Sequence, residues 1–430
     1  MPIPKNNLFP KTLIVGTLPY HPNESSRALG TYFSNWPEDK LRMIFSNRNK
    51  PYRGHCESYF QIHDIDLFKS YFKTSKNLGN VFYNNQLIDT CDSSFQTTGV
   101  VSKLKKKNTL RFILRKMLWG RKKWYSNKLK AWIDEFDPEL IYICFSDDYF
   151  ILDIAYTIAT EKNIPIVCQI SDDYYFCNQK NKNPFFSMYF KKYRKLFDKI
   201  METNGFSIYI SDTISTKYNQ TFKKQGFPIY MSSSIVTPDI QERVYEFNYL
   251  GKINLDRYNS LAQLGASLYK INPEFKLNVY TNECPENIQN LLESNHCVLK
   301  HPVPYEEVVN IMTKGAFNII ASGFKASEVE KSKYSLSTKV ADSLISKSPI
   351  IAIGDKEDGA ISYLLENNCS FVISELPIDV ESLKKFIFDE EAIKTAVQNY
   401  IEIYNRNHDF EKNNQHFISA CQALKGGKIK

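Results

Sequence analysis

Within residues 334–368 a polar run (Ser335, Ser337, Thr338) stands directly before Lys339 and an apolar, helix-like stretch that reaches Ser346. A turn that opens a helix presents unpaired backbone N–H groups and the positive end of a dipole, which suits a phosphate. Lys339 adds a cation at that end, and Asp342, one turn on, sets a carboxylate where ribose hydroxyls can be taken. A second such place is YLGKINLDR (249–257), where Gly251 directly follows an apolar strand. A residue without a side chain lets the backbone approach a diphosphate, and Lys252 and Arg257 can neutralise it. The plainer readings are a tight turn with a surface arginine, a solvated lysine and an exposed aspartate. In the other half of the chain, Asp172-Asp173 closes the apolar run 164–170. Carboxylates at the carboxyl end of a strand can orient or deprotonate a hydroxyl; equally, one of them can cap the turn that follows. The Asp147-Asp148 pair, after Ser146, reads first as the cap of a helix over 147–162.

These residues need a scaffold of strands and helices, and the chain alternates accordingly. Apolar strands are expected at 12–20, 41–47, 140–145, 164–170 and 206–210, with helices at 27–37, 147–162 and 213–225. A second series begins near Phe247, with strands at 247–251, 275–281, 297–303, 316–322 and 349–354. Helices are expected between them at 257–271, 286–294, 305–313 and 335–346, and a helical C-terminal region over 390–423. Near-continuous apolar strands separated by helices predict parallel sheets covered on both faces. We expect α/β architecture in two doubly wound, Rossmann-like domains, 1–240 and 241–395, facing a cleft. Residues 396–430 are expected as a helical segment crossing back onto the first domain.

At 430 residues, two domains are the prior expectation. A hydrophobic share of 43% with 24% charged residues excludes global disorder. No apolar run approaches the roughly 20 residues of a membrane span, and the N-terminal residues lack a signal-peptide core, so a cytoplasmic protein is expected. The nine cysteines are scattered and odd in number, and no pair is spaced as CxxC, so reduced thiols are expected rather than a metal or disulfide framework. The net charge of +8 has one source. Residues 103–130 hold 12 of the 55 Lys and Arg and no acid, leaving 43 basic residues against 47 acidic elsewhere. Leu110, Ile113, Leu114, Met117 and Leu118 recur there at helical spacing, with Trp119 and Trp124 available for an interface. Such a helix can pack on its own domain, dock on anionic lipid headgroups or bind nucleic acid. No nucleic-acid motif accompanies it, and the reading carried forward is an anionic membrane surface.

The pattern of 247–368 resembles the donor half of GT-B glycosyltransferases of the family 4 kind. The resemblance extends over nearly the whole chain as layout, and is specific in residues only within 247–368. It implies a nucleotide-sugar donor, no bound metal or other cofactor, retention of anomeric configuration, and a hydroxyl acceptor on a glycan, the expected acceptors being lipid-linked intermediates of a surface polysaccharide. On that resemblance Gly251 and Arg257 contact the donor phosphates with Ser337, Thr338 and Lys339; Val303 meets the base through its backbone; and Asp342 holds the ribose. Asp342 corresponds to the second acid of the family's Glu-x7-Glu motif, but Tyr334 stands at the first, with Glu328 or Glu330 as nearby substitutes. The loop 19–30 resembles the family's phosphate-covering loop, with Arg27 on the phosphate side and Ser25-Ser26 in place of a Gly-Gly pair. Asp172, Asp173 and the following Tyr174 resemble an acidic pair found in some polysaccharide glycosyltransferases. The implied location is the inner face of the cell membrane, held peripherally by 103–130. Two other readings keep the fold: a non-catalytic, membrane-docked subunit, which Tyr334 favours, and a sugar-nucleotide 2-epimerase.

Overall fold

The computed structural model describes residues 9–16, 18, 27–47, 50–71, 78–87, 115, 117–176, 184–233, 235, 236, 239, 242–282 and 284–425. The chain forms two compact units. The first comprises Met1–Tyr209, Ser215–Pro228 and Asn414–Lys430; the second comprises Ile210–Ile214 and Ile229–Asn413.

The first unit is built on strands β1 (Thr12–Val15), β2 (Leu41–Phe45), β3 (Ser58–Gln61), β4 (Asn80–Tyr83), β5 (Leu140–Cys144), β6 (Ile166–Ile170), β7 (Ser207–Tyr209) and β8 (Gly226–Pro228). They form one eight-stranded sheet in the order β4-β3-β2-β1-β5-β6-β7-β8. All pairings are parallel except β3 with β4. Its helices are α1 (Arg27–Phe33), α2 (Asp64–Lys69), α3 (Asn127–Phe136), α4 (Tyr149–Lys162), α5 (Pro184–Met201) and α6 (Asp212–Thr221), the last beginning in the second unit. β1, β2, β5 and β6 are buried along almost their whole length, which is why they read as unbroken apolar runs. Strand order reverses between β1 and β5, and open α/β sheets bind ligands at the carboxyl ends of such neighbouring strands.

The second unit carries β9 (Phe247–Leu250), β10 (Leu277–Tyr280), β11 (Cys297–Lys300), β12 (Phe317–Ala321), β13 (Ile350–Ile353) and β14 (Phe371–Ile373), all parallel. Their order is β11-β10-β9-β12-β13-β14, so the reversal falls between β9 and β12. Between them run α7 (Arg257–Ile271), α8 (Glu286–Ser294), α9 (Tyr305–Thr313), α10 (Ala326–Ser332), α11 (Thr338–Ile345) and α12 (Gly359–Glu366). Helices α13 (Val380–Phe388), α14 (Glu390–Ile403) and α15 (Phe410–Lys425) complete the chain. Asparagines stand side by side on three neighbouring strands, Asn278, Asn248 and Asn318 being in register. Asn278 Nδ2 donates to Asn248 Oδ1 at 3.0 Å, and Asn318 Nδ2 donates to Met312 O and Ser346 Oγ. These bonds replace part of the hydration the amides lose, while Asn248 Nδ2 and Asn318 Oδ1 are buried with no hydrogen-bond partner among the described residues.

The chain passes into the second unit at Ile229, earlier than the expected boundary at 240. The reason is an aromatic cluster. Tyr230 packs on Tyr363 and His408 at ring distances of 5.6 and 5.3 Å, and Asn413 Nδ2 donates to Tyr230 O at 2.9 Å. The return comes inside α15. From Asn414 the helix belongs to the first unit, where Asn414 Nδ2 donates to Thr31 O and Tyr32 O. There Phe417 sits against Tyr32 and Phe33 at 5.2 and 5.3 Å.

His408 is 1% exposed. Its Nδ1 lies 2.7 Å from Met231 O, so Nδ1 carries the proton and donates, leaving Nε2 to accept from Tyr363 OH at 2.9 Å. Burial pushes the imidazole down to about 4 against the Met231 bond. The folded chain therefore stays neutral where the unfolded chain takes up a proton, and stability is lost as pH falls from about 6.5 toward 4. The loss from this one group is roughly 3 kcal/mol. Urea unfolding at pH 7.5 and 4.5 measures it, and His408→Phe is expected to flatten that part of the profile; an unchanged slope refutes the assignment.

The two tryptophans expected at an interface are core residues. Trp119 and Trp124 are each 0% exposed. Trp119 stacks on Phe150 at 4.0 Å, and its Nε1 donates to Asp64 Oδ1 at 2.7 Å. Of the basic segment 103–130, residues 103–114 and 116 lie outside the described residues. The seven described cysteines are all free thiols, five of them buried.

Candidate active site

In the second unit, charged residues gather at the carboxyl ends of β9, β12 and β13. Gly251 follows β9, and its N–H donates to Tyr280 O at 2.9 Å. A Cβ placed on Gly251 would collide with Nζ of Lys339. Glycine here makes room for an ammonium. That ammonium also stands 4.9 Å above the ring of Tyr249, whose hydroxyl donates to Lys252 O at 2.5 Å and fixes the next turn. Leu255 and Asp256 follow with φ of 56° and 64°, a left-handed conformation uncommon outside glycine. Gly323, after β12, lies against this turn so closely that a Cβ would meet Leu255 O at 2.4 Å. The turn delivers Arg257 as the first residue of α7. Arg257 Nε is buried and has no hydrogen-bond partner among the described residues, although the guanidinium also acts on the Tyr249 phenol.

Lys339 occupies the first turn of α11, whose cap is Ser337; the Ser337 side chain accepts from Lys339 N at 3.4 Å. Burial pushes the Lys339 ammonium down to about 7, with the charges of Arg257 and Lys252 adding to the fall and Asp342 opposing it. Cations that weaken one another's charge in this way form a place prepared for an anion. Thr338 is exposed. Asp342 is 4% exposed and accepts from Ser233 Oγ at 2.6 Å, while Ser233 N donates to Tyr404 OH at 3.3 Å. A second polar chain holds the surrounding loops. Ser260 Oγ donates to Ser322 O at 2.6 Å, Ser322 Oγ donates to Asp358 Oδ2 at 2.5 Å, and Asp358 caps α12.

The structure thus brings Gly251, Arg257 and Lys339 together, with Ser337 and Asp342 on the same helix as Lys339. Lys252 joins them; it follows the glycine directly, and its field at Lys339 adds it to the cation set. Val303 is half-buried on the loop after edge strand β11, two strands away from β9. Tyr334 is half-buried, and Glu328 is taken by Lys331 in an ion pair of 2.7 Å on α10.

In the first unit, Arg27 is the first residue of α1. Asp173 is 5% exposed and accepts from Tyr175 N, Phe176 N and Tyr218 OH. A carboxylate with these donors caps a turn. Asp172 is half-buried and accepts from Tyr174 OH at 3.0 Å, so of the pair it is the one with surface to offer a substrate. In the second pair, Asp148 is the N-cap residue of α4, which starts at Tyr149; its N–H donates to Ser146 Oγ at 3.3 Å, but its own side chain makes no cap bond. Its carboxylate instead takes both oxygens to Arg115 Nη1, at 2.9 and 3.1 Å, while Arg115 Nε takes Asp64. Burial lifts the Asp148 carboxyl to about 6 although Arg115 pulls it down. Among the described residues no group of three or more His, Cys, Asp or Glu is arranged to hold a metal ion.

No protein-family model matches the chain, and no curated protein matches it in sequence. Solved structures match it throughout. The sucrose-phosphate synthase of Thermosynechococcus elongatus superposes with a TM-score of 0.59 at 10% identity, over 97% of this chain and 100% of that one. Anabaena HepE, in complex with UDP and glucose, gives 0.60 at 9% identity, over 96% and 100%. WaaG, a glycosyltransferase involved in lipopolysaccharide biosynthesis, gives 0.55 at 12%, over 97% and 100%. The chain has the GT-B fold: mixed α/β, with two parallel-sheet, Rossmann-like units.

Proposed function

We propose that the protein is a glycosyltransferase of the family 4 kind, moving a sugar from a nucleoside-diphosphate donor to a hydroxyl of a glycan. The observation that carries this reading is the convergence of Lys252, Arg257 and Lys339 on Gly251 and the start of α11. In the transfer, the bond from the anomeric carbon to the diphosphate oxygen breaks and the acceptor oxygen bonds to that carbon. The leaving diphosphate gains negative charge as this happens. Arg257, Lys339 and Lys252 meet that charge, with the N–H groups that open α11. The acceptor hydroxyl gives up its proton to a general base as its oxygen bonds to the anomeric carbon.

On this reading the reaction needs no metal ion, since the cations of the chain do its work, and it retains anomeric configuration. Asp342, held by Ser233, orients ribose hydroxyls. The acceptor is a lipid-linked glycan of a surface polysaccharide, and the protein works peripherally on the cytoplasmic face of the membrane. Uridine is the proposed base, supported by fold relatives solved with UDP and with UDP-2-fluoro glucose. A non-catalytic subunit is the second reading, favoured by Tyr334 where the family resemblance calls for an acid.

Thermal unfolding with UDP, GDP, dTDP and CMP tests the site. At a hundredfold excess over Kd, a ligand stabilises by about 2.7 kcal/mol, which raises Tm by several degrees. We expect UDP to do so and Lys339→Met to abolish the shift. A shift from UDP without turnover of any UDP-sugar supports the non-catalytic subunit, and no shift from any nucleotide refutes the donor site.

Binding is also expected to depend on pH. A diphosphate favours charged Lys339, so the bound ammonium titrates above the value of about 7 in the free protein. Below pH 7 the lysine is already charged and adds no pH dependence of its own to Kd. Above it, binding takes up a proton, and Kd for UDP rises by up to about tenfold per pH unit. Calorimetry at pH 8 in two buffers of different ionisation enthalpy measures that proton; identical heats exclude the coupling.

A further inference from the structure

The first unit has five described large hydrophobic side chains on its surface: Ile65, Phe68, Tyr83, Met117 and Met188. All but Tyr83 belong to three neighbouring segments, two of which are bonded to each other. Asp64 of α2 is held by Arg115 and Trp119, and Tyr71, just past α2, donates to Leu118 O at 2.9 Å. On the other side, a Cβ on Gly120 would lie 3.9 Å from Nζ of Lys192 in α5 and 3.4 Å from Tyr149 OH, and Lys192 stands 4.4 Å over the Tyr149 ring. Helix α2, residues 117–123 and α5 together carry nine Lys and Arg against three acids, Asp64, Asp66 and Asp198. Arg121, Lys122, Lys123, Lys191, Lys192 and Lys195 are exposed.

We infer that α2, residues 117–123 and α5 form one membrane-docking face, with Ile65, Phe68, Met117 and Met188 entering the interface of an anionic bilayer and the lysines and Arg121 meeting its headgroups. Exposed methionine and phenylalanine among cations match a surface that is apolar below and anionic at its boundary. A nucleic-acid backbone would meet the cations and leave the apolar side chains without a partner. A bilayer satisfies both. Trp119 and Trp124 take no part, because they are covered by the unit's own residues. The inference rests on the peripheral location proposed above but not on the donor chemistry.

Sedimentation with vesicles of phosphatidylcholine containing about one-third phosphatidylglycerol tests it, beside vesicles of phosphatidylcholine alone. Each surface cation is worth about 1 kcal/mol, or roughly fivefold in affinity. The triple variant Arg121→Gln/Lys191→Gln/Lys195→Gln is expected to weaken binding by about a hundredfold, and Phe68→Ser/Met117→Ser to weaken it further, with Tm unchanged. Wild-type binding that survives both variants overturns the face while leaving the membrane location intact. Absence of binding to anionic vesicles overturns both, as does binding to phosphatidylcholine alone that the charge variant does not alter. A UDP-induced Tm shift in the same samples judges the donor site separately. Loss of RNA binding in the charge variant, with vesicle binding unaffected, also rejects the proposal.

Discussion

Lys339→Met is expected to lower the kcat for sugar transfer by about a hundredfold or more, the size of effect seen when one preorganised charge at a developing anion is removed. Methionine has nearly the same length and keeps the packing over Tyr249, so the variant removes charge and little else. Two features place the effect on the anion that the site holds rather than on folding. Burial and neighbouring cations already weaken the Lys339 charge, so the empty site gains from its loss, and the variant is expected to be at least as stable as the parent. Arg257→Met is expected to act in the same direction, and because both residues address one anion, the double variant should fall short of the product of the two losses. Kinetics with a UDP-sugar, read beside unfolding midpoints, checks this. A fall in activity matched by a fall in Tm assigns Lys339 to structure instead.

Trp119→Ala is expected to destabilise the first unit by about 4 kcal/mol, as for other buried large-to-small changes of an aromatic. Its stacking on Phe150 and its bond to Asp64 both vanish, and among the described side chains Asp64 then keeps Arg115. Arg115→Met should cost less, on the order of 2 kcal/mol, since the Arg115, Asp64 and Asp148 side chains all keep partial contact with solvent. Had Trp119 been an interface residue, its removal would leave stability unchanged and abolish vesicle binding. Chemical denaturation with the same variant on vesicles separates these results, and unaltered stability refutes the core assignment.

The scaffold was largely legible because its strands are buried on both faces. Runs such as LIYIC at β5 and IIAI at β13 admit few other readings. Gly251 and Lys339 were legible for the same reason: a glycine or a polar turn directly after such a run lies at the strand's carboxyl end. β3 was not legible. Its residues SYFQ are all buried, yet Ser58 and Gln61 are polar, and they are satisfied by Trp132 Nε1 at 3.2 Å and Asn47 O at 2.8 Å from elsewhere in the chain. The partner of Asp342 was hidden similarly, since Ser233 stands 109 residues away. The tryptophans were misplaced because helical spacing distinguishes an apolar face from a polar one without saying what covers it. The ion pair of Asp148 was hidden because its partner Arg115 stands 33 residues earlier.

The space that Gly251 leaves is filled by the Lys339 ammonium, so these two positions share a single volume. Neither can change without regard to the other. Gly251→Ala alone displaces the lysine from its seat over Tyr249; a shortened residue 339 relieves that collision and leaves the alanine only the strain of a φ of 157°. Descendants of this chain that drift at one of the two positions should therefore drift at both, and a redesign of the site has to treat 251 and 339 as one choice.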